Sequence, residues 1–225
     1  MFMCRGANVE QYCRVVCATL FLLLGQGVSA DAFPSVENPS IQPGVFLIAD
    51  SAMSDPYFRQ TVVLLWNHGE HGTHGVIINR PRDISLSQAL PQVTALRGVD
   101  LMLYFGGPVA MENPIFLFRY PEKLQDGQHV FSDVYVSTSF DVLQPLRDSS
   151  ALEGVLRVYS GHAGWSPGQL ASEMAQGAWH LLQGDANFIF NPDPSDVWSK
   201  LFEASQAIQV YDQSSYSFSP PAHQF

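Results

Sequence analysis

The chain has 225 residues, long enough for one generous domain or two small ones, and its 46% apolar content suffices for a packed core. It carries 21 acidic against 11 basic residues, a net charge of −10, and its only lysines are Lys123 and Lys200. Nucleic-acid affinity draws heavily on phosphate neutralisation, so this balance argues against nucleic acid as a partner, and against an anionic membrane surface.

Taken in order, residues 1–30 have the layout of a secretory signal. Arg5 and Arg14 form a weak basic region, residues 15–24 an apolar stretch, and Val28-Ser29-Ala30 a small-residue cleavage site. The apolar stretch falls short of the roughly 20 residues a membrane span needs, so no stable span is expected once the signal is removed. An exported, periplasmic protein is the expectation. Cys4, Cys13 and Cys17 all lie in this segment, which leaves the remainder free of cysteine in an oxidising compartment. Residues 31–43 read as an extended lead-in, residues 44–210 as one α+β domain, and residues 211–225, rich in Ser, Gln and Pro, as a mobile tail.

Within the domain, the apolar run 45–49 predicts a buried strand, and the β-branched run 61–66 a second. Between them Asp55-Pro56 sits in a loop or single helical turn, with Asp55 as its cap or as a ligand-site acid. A connection rich in glycine and histidine leads to a strand over 76–78, closed by Asn79-Arg80-Pro81. Residues 84–90 suggest a brief helix, residues 101–105 a strand stopped by Gly106-Gly107-Pro108, and residues 115–118 and 130–136 further strands. Residues 141–146 look helical, capped from the Ser137-Thr138-Ser139 region. The alternation at 156–159 gives another strand.

Ser166 then sits in N-cap position, with Pro167 at N1 and Gln169 at N3. Leu170, Met174, Ala178 and Leu181 follow at helical spacing. Residues 187–190 suggest a last strand. Ser195-Asp196 should cap a helix through about residue 208, with Trp198, Leu201, Phe202 and Ala204 facing inward. Trp165 and Trp179 are expected to pack at the core or its rim.

Gly164-Trp165-Ser166-Pro167-Gly168 also matches the nucleophile-elbow pattern, with Asp185 or Asp193 and then His223 in the expected order. That elbow takes half its oxyanion hole from the amide of the residue after the serine. Here that residue is proline, which has none. Ser166 therefore reads as a cap, and no catalytic residue is assigned.

Several strings together resemble the YqgE/AlgH family of mostly uncharacterised bacterial proteins. They are Gly44-Val45-Phe46-Leu47-Ile48-Ala49, Asp55-Pro56-Tyr57-Phe58, Gly75-Val76-Ile77-Ile78-Asn79-Arg80-Pro81, Gly106-Gly107-Pro108-Val109, and the segment from Gly161 to Leu170. The resemblance implies an α+β fold whose forked, mixed sheet curls into a partial barrel with flanking helices. It brings no established activity, although some members are labelled transcriptional regulators. Members usually look cytosolic, whereas this chain begins like an exported one.

Two polar constellations stand out. His68, His71 and His74 fall within seven residues with Glu70, and imidazole suits Zn or Cu. A metal-dependent hydrolase built on that loop is one alternative function, and a solvated hairpin loop the plainer reading. Asp55, Asn79, Arg80 and His162 are candidates for converging on a ligand. Arg80 and Arg82 could grip an anion through their guanidinium forks. The plainer reading has Asn79 capping the strand exit and Arg80 paired with a nearby acid. The leading functional expectation is a non-catalytic binding or regulatory domain for an unidentified protein or small ligand, with no cofactor.

Overall fold

In the computed structural model, residues 39–121, 126–146 and 152–216 are described. The signal-like segment, most of the lead-in, His223 and the rest of residues 217–225 lie outside them. Ten strands form one sheet in the order β10-β1-β2-β3-β9-β6-β8-β7, with β4 and β5 branching from it.

Strand β1 (Val45–Ala49) is buried on both faces, which is why its sequence is a continuous apolar run rather than an alternation. It lies between β2 (Val62–Gly69) and β10 (Trp179–Gln183), antiparallel to both. Strands β2 and β3 (Gly72–Ile77) form a hairpin with a bulge after Leu65.

The ten-residue β9 (Leu156–Trp165) is the branch. Along one edge it pairs antiparallel with β6 (Val109–Arg119). On the other edge, Val158–Ser160 run parallel to β5 (Met102–Phe105), while Ala163–Trp165 run antiparallel to β3. Gly161, at φ +70°, stands where one partner gives way to the other. Strand β4 (Pro81–Ser85) flanks β5, and the hairpin of β7 (Gln128–Phe131) and β8 (Val134–Ser137) completes the far side. The result is the forked, mixed sheet that the family resemblance implied.

One apolar cluster draws side chains from both ends of the sheet. Phe46 and Leu182 meet Val130, Val134 and Leu117 in it, so the sheet curls around its own concave face. The ends nearly touch, since a Cβ on Gly184, just after β10, would lie 3.2 Å from the ring of Phe131 in β7, yet no strand ladder joins them. Single-turn α4 (Ala186–Ile189) and the twenty-residue α5 (Val197–Tyr216) cover this cluster with Ile189, Val197 and Leu201.

A second cluster, built on Phe116, Phe118, Leu156 and Val158, lies under the short turns α1 (Leu86–Ala89) and α2 (Leu143–Leu146). A third, with Leu47, Val63 and Ile77, is covered by α3 (Gln169–Ala175). Each fully buried Leu, Ile or Phe in these layers contributes about 1.5–3 kcal/mol relative to exposure.

Several local expectations change. The helix after Trp165 starts at Gln169 behind a left-handed Gly168 (φ +78°), not behind Ser166. Ser166 keeps only half of the box, its amide donating to Gln169 Oε1 at 3.1 Å. That helix ends at Ala175 because Gly177 turns left-handed (φ +76°). Ala178 and Leu181 therefore leave the helix, and Leu181 joins strand β10, which completes β1.

Residues 186–189 are helical rather than extended, because the Asp185 side chain accepts from the Asn187 amide and caps a turn. In α5, Ala204 is exposed and Ser205 takes the inward place, its hydroxyl donating to the Phe202 carbonyl. The helix continues through Tyr216, past the point where the tail was expected to begin.

Candidate functional site

The entry of β2 and the exit of β3 converge on a cleft of about 420 Å³ lined by Arg59, Gln60, Asn79, Arg80, Ser195 and Trp198. Asn79 locks it. Its Oδ1 accepts from the Val62 amide at 2.9 Å and its Nδ2 donates to the Gln60 carbonyl at 3.0 Å. Gln60 is held at φ +54°, a left-handed conformation that costs a side-chain-bearing residue energy and persists only where its surroundings enforce it.

Arg80 is half-buried, its main chain pinned to β5 by Phe105 N–H donating to its carbonyl at 2.8 Å. Its guanidinium donates to the Arg59 carbonyl. The expected acidic partner is not found: among the described residues no carboxylate lies within ion-pair distance of Arg59 or Arg80. Burial, and secondarily the Arg59 charge, lower the Arg80 pKa below its usual value. The guanidinium nonetheless stays charged at neutral pH.

The start of α5 faces the same cleft through Trp198 and Ser199, with Ser195 just ahead of it, adding the positive end of a long helix. The acids near that terminus are engaged elsewhere, Asp196 with Lys200 at 2.6 Å and Asp193 with the Ser195 amide at 3.0 Å. A protein of net charge −10 thus keeps in one concavity two guanidinium groups that have no carboxylate partner among the described residues.

The other candidates fall elsewhere. Asp55 caps its own turn, accepting from the amides of Tyr57 at 2.8 Å and Phe58 at 3.3 Å. His68, His71 and His74 do not form one ligand set. The hairpin register pairs His68 with Thr73 and His74 with Asn67, so period-two alternation sends the first and last imidazoles to opposite faces. His68 Nδ1 bonds Thr73 Oγ1 at 2.7 Å, and His71 is exposed at the turn. Among the described residues no group of three or more metal-ligating side chains occurs.

His74 instead meets His162, with ring centroids 5.3 Å apart, and Trp66 stacks beside them. Burial lowers both histidine pKa values, and the His74 charge lowers that of His162 further. With folded values below the unfolded 6.5, the unfolded chain binds more protons as the solution is acidified through that region. Stability contributed by the neutral pair is complete above about pH 6.5 and is lost as pH falls through the lowered folded values. Urea midpoints measured from about pH 7.5 downward should decline across that window, and the decline should shrink in His74→Asn/His162→Asn.

Two polar side chains gave no motif in the sequence. Glu173 accepts both indole N–H groups, Trp165 at 2.9 Å and Trp179 at 2.8 Å, and so joins α3 to the aromatic rim. Arg157 is buried beneath α4. A charged residue between Leu156 and Val158 in an apolar run was the available sign of it.

Residues 46–208 match the AlgH-like family. A UPF0301 protein of Dechloromonas aromatica is 36% identical over 155 residues, covering 67% of this chain and 83% of its own. One from Vibrio cholerae is 31% identical over 166 residues, covering 70% and 88%. The solution structure of the AlgH protein from Pseudomonas aeruginosa superposes with a TM-score of 0.61 at 27% identity, covering 84% of this chain and 100% of that one. A crystal structure from Corynebacterium diphtheriae gives 0.63 at 23% identity, covering 75% and 89%, and supports the fold alone. On the match to most of its domain and on these relatives, the chain belongs to the AlgH-like family.

Proposed function

We propose that the protein is a binding domain rather than a catalyst, and that the cleft between Arg59 and Arg80 takes an anionic small ligand bearing carboxylate or phosphate groups. The observation that carries this is the pair of guanidinium groups without a carboxylate partner among the described residues, beside a rigidly held Asn79. Two like charges in one concavity repel each other. An anion between them would relieve that repulsion and gain charge-assisted hydrogen bonds.

Binding rather than turnover is favoured because no histidine, cysteine or carboxylate is among the described residues lining the cleft. The serine of the elbow-like string is followed by Pro167, and Asp185 is committed to capping α4. A DNA-contacting regulator would need a basic face, which the charge balance does not supply.

Calorimetric titration with citrate and with inorganic pyrophosphate tests this reading. Wild type should bind at least one of them. Arg80→Gln should weaken binding by roughly 10- to 100-fold, the range for losing a hydrogen bond to a charged group. Arg80→Lys should recover little, because an ammonium cannot reproduce the planar fork. Unchanged affinity in an Arg59→Gln/Arg80→Gln double variant that melts like wild type would refute the site, as would a wild type that binds neither anion.

A further inference from the structure

The histidine pair on β3 and β9 has no part in the arginine cleft, and its chemistry points to a different ligand. We propose that His74 and His162 are two protein ligands of a divalent transition-metal site, with Cu(II) the tightest-binding ion.

The sheet builds the pair. His74 stands opposite Gly164 in the β3–β9 register, and His162 lies two residues back along β9, on the same face. The two imidazoles are thus diagonal neighbours across adjacent strands, each backbone fixed by a ladder. With metal–nitrogen bonds of about 2.0–2.1 Å, two imidazoles sharing an ion hold their ring centroids roughly 4.5–6 Å apart. The observed separation is 5.3 Å. The rings meet edge to face at 79°, and rotation about the side-chain torsions would turn their nitrogens toward a shared ion.

The hydrogen-bond pattern separates this pair from His68, His129 and His180, and partial burial separates it from the exposed His71. His68 is bonded to Thr73, His129 to the Ser132 carbonyl and His180 to Asp50. Neither His74 nor His162 has a hydrogen-bond partner among the described residues, although both are half-buried. Their desolvated rings favour the neutral form, which is the form that ligates metal.

Gly164 leaves space beside His162: a Cβ there would be 3.8 Å from His162 Nε2, an ordinary contact. No third His, Cys, Asp or Glu completes the set among the described residues, so water would fill the remaining positions. An imidazole pair with open positions suits Cu(II), Ni(II) or Zn(II), and the general order of divalent affinities puts Cu(II) first.

Trp66 supplies the readout. Its ring lies 6.3 Å from that of His74 and 5.8 Å from that of His162, close enough for bound Cu(II) to quench its fluorescence. The chelator-treated full chain, its three cysteine thiols alkylated, would be titrated with CuCl2, followed by calorimetry and tryptophan emission. One Cu(II) per chain should bind with partial quenching. His74→Asn and His162→Asn should each weaken binding at least tenfold. Trp66→Phe should remove most of the quenching while keeping the affinity, and His68→Ala/His71→Ala should change neither.

Paramagnetic broadening in the NMR spectrum of the wild type adds a test that needs no variant. It should centre on the Trp66 indole and on residues 74 and 162. Unaltered affinity in both histidine variants, broadening centred on the exposed turn at His71, or no Cu(II) binding below about 100 μM would each overturn the proposal.

Discussion

Gly161→Ala is expected to lower stability by about 4 kcal/mol or more, an exceptional loss that here comes from a substituent meeting backbone that cannot yield. At φ +70° an alanine sits in the left-handed region, which costs about 1–2 kcal/mol by itself. Its Cβ would also lie 2.6 Å from the carbonyl oxygen of Gly107, 2.7 Å from that of Val109 and 3.0 Å from the Met111 Cα. All three are main-chain atoms, so no side-chain rotation relieves the contact.

The crowding has a topological cause. At this residue β9 exchanges β5 for β3, and Gly106 and Gly107 pass directly over it. A Cβ on Gly107 would come within 2.2 Å of the His162 carbonyl carbon. Gly98→Ala provides the control, since Gly98 has φ +74° yet nothing lies within 4 Å of where its Cβ would stand. It should lose only the conformational cost of about 1–2 kcal/mol. Equal denaturant midpoints for the two variants would show that the fork tolerates the methyl group.

Arg157→Ala should cost about 3–5 kcal/mol, combining a large cavity with buried carbonyls stripped of their donor. Arg157 is 4% exposed, and its guanidinium reaches the aromatic rings of the concave core. It donates to the carbonyls of Leu156 at 3.1 Å and of Phe190 and Asn191 at 3.0 Å. It also lies 5.7 Å from the Tyr104 ring centroid and 6.0 Å from that of Phe190. The Phe190 and Asn191 carbonyls close the C-terminal end of α4, so the cation also complements that turn's orphan acceptors.

Arg157→Met would refill the volume without restoring the donors, and should retain about 1–2 kcal/mol more stability than the alanine variant. Hydrogen exchange should quicken at residues 186–201 in both. An alanine variant within about 1 kcal/mol of wild type would remove the role assigned to this side chain.

The inner strands are plain in the sequence, and their partners are hidden. Strand β1 is readable because burial on both faces demands an unbroken apolar run. Strand β10 is not, since Trp179-His180-Leu181-Leu182-Gln183 also continues a helical pattern, and only β1, far earlier in the chain, decides the matter. The same distance limit applies to the sites. Asn79 as a strand-exit cap follows from its chemistry, but its partners Val62 and Gln60 lie 17 and 19 residues away.

In so acidic a chain, a carboxylate beside Arg80 is the natural expectation. Arg80 finds a carbonyl instead, because β5 holds its backbone and the turn after Asp55 sets the Arg59 carbonyl within reach of its guanidinium. His74 looks like part of a local triad, and strand pairing gives it His162 as neighbour.

The pairing of β1 with β10 also governs when the domain can form. During synthesis Val45–Ala49 emerges early, yet one of its two ladders is missing until Trp179–Gln183 has cleared the ribosome. Until then a fully apolar pentapeptide has an open edge, the kind of segment that invites association between nascent chains. Such dependence on distant segments slows folding and lengthens the interval in which association competes with it.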